Sequence, residues 1–172
     1  DGAIEEFALS VDDAPIMRRI ALRKLASQLE GCVVDEEQGR LFVGEEAVGV
    51  WSFDLQNAEA APISIDKVGG ASGLVADVEG MSLWRGENGG GALVVSAQGA
   101  SRFIAYDRRA PHAPLGAFRV ADAPGVDGVS TTDGLDISSA ALGAHYPRGL
   151  FVAQDDVNAN PAANQNFKLV DW

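Results

Sequence analysis

A single cysteine, Cys32, stands in the 172 residues, so no disulfide can close within the chain. It sits in the apolar run EGCVV, which predicts a buried, inert thiol and not a nucleophile. Lysine is almost as scarce, with Lys24, Lys67 and Lys168 the only three. The formal net charge of −12 argues against nucleic acid as a partner. An anionic substrate would be repelled as well, unless metal ions intervened. No apolar run approaches the roughly 20 residues of a membrane helix, so no membrane partner is expected. The two histidines, His112 in RRAPHAPLG and His145 in GAHYPRG, fall in loop-like segments without a serine or cysteine nucleophile motif. A P-loop, a Rossmann glycine fingerprint and an HExxH zinc motif are all missing. Arg108-Arg109 reads as a solvated hairpin end and not as an anion clamp. No signal peptide is visible and the sequence opens on Asp1, as expected of a processed, truncated or partial chain.

What is abundant is acid and glycine. The loop at 121–136, ADAPGVDGVSTTDGLD, places Asp122, Asp127, Asp133 and Asp136 among three glycines with no basic residue. Carboxylates so close either splay into water or share a cation. Ser130, Thr131, Thr132 and turned-in carbonyls would complete the six to eight oxygens of a Ca²⁺ shell. The spacing is not that of an EF-hand.

The same arrangement repeats. An acid followed by glycine recurs at Glu30-Gly31, Glu79-Gly80 and Asp133-Gly134, at intervals of 49 and 54 residues. Each pair leads into a short apolar strand (CVV, MSLW, LDI) and a turn (DEEQG, GENGGG, GAHYPRG). A second strand then ends on acids or an amide (LFVGEE, LVVSAQ, LFVAQDD), and a third follows (VGVWSFDL, RFIAYDR, NFKLVDW). Three antiparallel strands with a variable outer one, every fifty residues or so, predict an all-β chain of about three β-propeller blades starting near 30, 79 and 133. Residues 1–29 are then the end of a preceding blade, with a strand in EEFALSV and a turn at DDAP. Local pattern leaves 16–29 open between helix and strand. Three blades do not close a ring, so the chain is expected either to belong to a longer protein or to associate with a second copy.

Inner strands of a propeller meet near its axis, so Glu30, Glu79 and Asp133 are expected to converge, with Asp77 on the face of Glu79. Glu46, Gln98, and Gln154 or Asp155, which end the second strands, should gather on the same rim. Like charges brought together call for compensation, and no lysine lies in these segments. An all-oxygen set suits Ca²⁺ or Mg²⁺ and not zinc. The bland alternative is a set of solvated turns before strands.

LEGC at 29–32, LFVGEE at 41–46, DVEG at 77–80, SAQG at 96–99 and DGVSTTDGLD at 127–136 together resemble the β-propeller phytases. So does the C-terminal YPRGLFVAQDDVNANPAANQNFKLVDW. The resemblance runs from about residue 5 to the end and corresponds to the C-terminal half of a six-bladed fold. It implies a Ca²⁺-dependent phosphomonoesterase acting on myo-inositol hexakisphosphate (phytate), secreted or periplasmic, in which metal-held water attacks phosphorus. By motif, Glu30 and Glu46 resemble catalytic-site carboxylates. Asp77, Glu79, Gln98 and Asp133 resemble further calcium-site residues, and Asp127 and Asp155 ligands of stabilising ions. The lysines, arginine and tyrosine that the family contributes from its N-terminal blades have no counterpart here. The alternative from another class is a non-catalytic, calcium-stabilised binding module.

Overall fold

The computed structural model describes residues 2–10, 17–159 and 162–172. The DDAP turn at 12–15 lies outside them. The described chain is β throughout, apart from two 3₁₀ turns at Glu87–Gly89 and Gln98–Ala100. A hairpin of β1 (Ala3–Leu9) and β2 (Met17–Lys24) comes first, which settles 17–24 as strand. Its pairs Ile4↔Arg23 and Glu6↔Ala21 put Ile4 and Arg23 on one face, where Arg23 holds Glu6 at 2.8 Å.

Three antiparallel sheets follow. The first is β3 (Leu29–Asp35), β4 (Arg40–Glu45), β5 (Gly49–Asp54) and β6 (Ile63–Lys67). The second is β7 (Val78–Arg85), β8 (Gly91–Ala97), β9 (Arg102–Asp107) and β10 (Pro114–Phe118). The third is β11 (Leu135–Ser138), β12 (Leu150–Asp155) and β13 (Asn166–Asp171). Each is a meander in chain order, and the innermost strands β3, β7 and β11 lie side by side. This is the geometry of successive propeller blades.

Packing follows from strand alternation. In β8, Leu93, Val95 and Ala97 face the first sheet, clustering with its Phe42 and Val50, while Ala92 and Val94 face the third with Ile137, Phe151 and Ala153. Buried on both faces, β8 carries the apolar run at 92–95, and its buried Ser96 is satisfied by donating to the Thr132 carbonyl at 2.8 Å. Phe103, Phe118, Phe151 and Trp172 close the second interface with ring centroids 5.0–6.2 Å apart.

The acid-glycine repeat has a steric cause. A Cβ on Gly31 would stand 2.2 Å from the Glu79 carbonyl oxygen, and one on Gly80 would stand 2.5 Å from that of Asp133. The Gly80 N–H donates to that same Asp133 oxygen at 2.7 Å. Only a bare Cα admits the next inner strand so closely. The register slips between Leu29 and Cys32 and again between Val78 and Met81, so Glu30-Gly31 and Glu79-Gly80 form bulges. A bulge adds one residue and re-aims its side chain.

The far end of β3 carries the opposite kind of contact. Arg108 is fully buried, gripping Asp35 through Nε and Nη2 at 2.6 Å each and Glu37 at 2.6 Å. The expectation of a solvated hairpin end therefore fails for Arg108 and holds for exposed Arg109. The acids that capture it, in DEEQG, belong to the neighbouring sheet. Burial alone would raise the Asp35 pKa, but the hydrogen bond and charge of Arg108 outweigh it and hold the carboxyl below its usual range.

Cys32 also departs from expectation, since its thiol is exposed. Cys32 and Val34 pair with Val43 and Leu41 and share their face. The hairpin covers that face through Ile4 and Leu25 against Leu41, Val43 and Phe53, but leaves Cys32 and Val34 open.

Gly80→Ala is expected to cost at least about 1–3 kcal/mol of stability, because backbone cannot yield to the methyl. Gly134, whose Cβ would meet nothing within 4 Å, should accept alanine within about 0.5 kcal/mol. Urea denaturation of both variants checks this, and equal losses would refute the steric account.

Candidate cation site

Glu30 and Glu79 leave the bulges of β3 and β7, and Glu46 leaves the end of β4. Their carboxylates meet, with one oxygen from each lying within 4.8 Å of the others. Glu30 is exposed, while Glu46 and Glu79 are half-buried. The backbone fixes this corner, since the Val78 N–H donates to the Glu46 carbonyl at 2.9 Å and the Glu46 N–H to that of Gln28 at 3.1 Å. Gln28 Nε2 also donates to Glu30 Oε1 at 2.5 Å.

Asp77 and Asp133 complete the ring of charge around Glu79. Burial and then the charges of Glu30, Asp133, Glu46 and Asp77 push the Glu79 carboxyl up to about 7 from its ordinary 4.5. Gln98 donates through Nε2 to Asp133 Oδ1, and the Asp133 N–H donates to Gln154 Oε1 at 2.9 Å. The backbone of Gln98 reaches the Asp77 carbonyl at 3.0 Å. The expected neighbours Glu30, Glu46, Asp77, Glu79, Gln98 and Asp133 thus occupy one rim.

Asp127 and Asp155 are not among them. Lys168 Nζ stands between the two at 2.7 Å and 3.0 Å, and also reaches the side-chain oxygens of Asn158 (3.2 Å) and Asn166 (3.0 Å). The premise that no lysine neighbours the acids is overturned at this corner. Burial would lower the Lys168 pKa, but the two carboxylates raise it. Asp155 further accepts the N–H and Oγ of Ser130, both at 3.0 Å. The loop at 121–136 is likewise no single cage: Asp122 accepts from the Gly128 N–H at 2.8 Å, and Asp136 from Ser82 Oγ at 2.7 Å. Its four carboxylates go to four different partners.

The donor set fits a hard cation. Oxygens each about 2.4 Å from a Ca²⁺ lie at most about 4.8 Å apart. The triad offers oxygens within that separation, all from carboxylates, and one of its members, Glu79, is surrounded by like charge. Sequence reasoning missed Gln28 and Lys168. Gln28 precedes the motif it serves, and Lys168 is distant in the chain from both its acids.

An acid-rimmed arc of propeller blades is the class of protein that fold and site define. The profile of the phytase family matches residues 13–172. The 3-phytase of Bacillus subtilis (strain 168) is 38% identical over 151 residues, 87% of this chain. The chain belongs to the phytase family. It spans 40% of that relative's length.

The Glu79 carboxyl titrates near 4.5 when unfolded and about 7 when folded, so the folded chain holds the extra proton between those values. In chelator, its contribution to stability should be complete below about pH 4.5 and be lost as the pH rises toward 7. Glu79→Gln should flatten that slope. Thermal melts from pH 5 to 8 test this, and a native profile unchanged by the substitution would contradict the assignment.

Proposed function

We propose that this chain supplies the Ca²⁺-carboxylate side of a phytate-hydrolysing phosphatase. The observation that carries the reading is the convergence of Glu30, Glu46 and Glu79, with Asp77 and Asp133 beside them, on an otherwise acidic protein. Family membership and the 3-phytase relative support phosphate-ester hydrolysis as the reaction. A polyanionic substrate cannot approach such a rim unaided.

Glu30, Glu46 and Glu79 would hold the cation directly, with Asp77 and Asp133 deepening the negative field that draws it in. Gln98 would keep Asp133 turned to the rim through its amide. Once bound, Ca²⁺ supplies charge to polarise phosphoryl oxygens and to activate water. Glu30, the exposed member, and Glu46, at the end of β4, are the carboxylates facing the reacting phosphate in this proposal. Asp127 and Asp155 are set apart from it, because both are paired with Lys168.

The remaining blades of a full-length protein would pack on the open faces of this arc. Phe167 pairs with Gln154 as Phe103 pairs with Ser96, yet Phe103 is 1% exposed and Phe167 66%. Leu169 beside it, and Val34 at the other end of the arc, are open as well. These blades would bring the basic groups that the rim lacks.

In the full-length protein, phosphate release from phytate should need Ca²⁺ and cease with chelator. Glu30→Gln and Glu46→Gln should each lower turnover at least about 100-fold while leaving the melting temperature in chelator near native. Calcium-dependent phytate binding with no phosphate released would instead identify a binding module.

A further inference from the structure

The residue before Glu46 is a buried carboxylate. Register aligns Leu29↔Glu45 in the first sheet with Val78↔Ala97 in the second, where a methyl group fills the same buried place. In the third sheet the corresponding residue is the buried Asp155, which likewise accepts the N–H and Oγ of a serine, Ser130. The second sheet shows that a strand end of this kind can close without a carboxylate. A buried carboxylate without an ionic partner is costly, and among the described residues Glu45 has no salt bridge.

Three donors satisfy it. Oε1 accepts the Ser27 N–H at 2.9 Å and Ser27 Oγ at 2.7 Å, and Oε2 accepts Trp51 Nε1 at 2.9 Å. Glu45 thus pins Ser27 by main chain and side chain together. The next residue, Gln28, makes both contacts that fix the adjacent pair of site carboxylates: its carbonyl takes the Glu46 N–H, and its amide donates to Glu30 Oε1. Glutamine could not replace Glu45 without loss, since its amide N–H₂ would face either Trp51 or Ser27 donors.

We propose that Glu45 is a positioning residue of the cation site, setting Glu30 and Glu46 through Ser27 and Gln28, and that Trp51 reports the state of this linkage. The proposal rests on the cation-site reading above. It assigns a role to a group that binds neither cation nor substrate. Glu45 presets the rim before any ion arrives, which spares the ion the cost of ordering its own ligands.

The test is Ca²⁺ titration of the chain by calorimetry, followed in parallel by Trp51 emission. Native chain should bind Ca²⁺ with an emission change that Trp51→Phe removes. Glu45→Ala should weaken Ca²⁺ binding about 10–100-fold and lose the Trp51 response. A folded Glu45→Ala chain with native Ca²⁺ affinity would overturn the proposal. Should Glu45→Ala not fold, Ser27→Ala, which removes only the hydroxyl bond, should still weaken binding, and native affinity there would be equally fatal. A native chain that binds no Ca²⁺ would overturn the cation site itself and this proposal with it.

Discussion

The close approach of neighbouring inner strands is the contact on which the rest depends. Gly31 lies on the Glu79 carbonyl and Gly80 on that of Asp133, at separations that no side chain would permit. Each glycine follows the acid of its own strand, so the contact that docks one blade on the next also delivers another carboxylate to the rim. Packing and charge convergence are one event. The bulges at Glu30-Gly31 and Glu79-Gly80 aim those carboxylates toward one another, out of the ladder.

That convergence opposes folding, and the structure counters it elsewhere. Along β3 the acid rim and Asp35 are separated by five residues, roughly 16 Å of extended chain. There the buried Arg108 ties the second sheet to the first through a bidentate grip, and aromatic packing locks the third sheet to the second. At the blade edge, Lys168 bridges Asp127 and Asp155. Among the described residues, the five carboxylates of the rim around Glu79 have no ion pair, and their charges together with burial push the Glu79 carboxyl up to about 7. An acidic cluster that the fold could relieve but does not is where a cation has most to gain.

Much of this was legible in the sequence because a repeat exposes positions that a single motif would not. The acid-glycine pairs located the three inner strands, and strand ends located Glu46 and Gln98 on the same rim. What failed did so for one reason: a side chain's partner can lie on another blade. Arg108 looks solvated until Asp35 arrives from the first sheet. Lys168 sits in a strand with no local hint of its two acids. Cys32 looks buried by its apolar neighbours, yet the hairpin does not reach it. The loop at 121–136 looks like a cage, but Asp122 and Asp136 are claimed by local and cross-blade hydrogen bonds. Glu45 was indistinguishable from Glu46 in the letters GEE, and only the register separates a buried positioning group from a rim carboxylate.

The most direct test of the central claim is to count protons as Ca²⁺ binds. Calorimetric titrations near pH 6.5 in two buffers of different ionisation enthalpy yield the number released. A carboxyl pushed to about 7 is largely protonated there, so ion binding beside Glu79 should expel a substantial fraction of a proton, and Glu79→Gln should expel little. Ca²⁺ binding with no proton release would place the ion away from Glu79, and no binding at all would contradict the account.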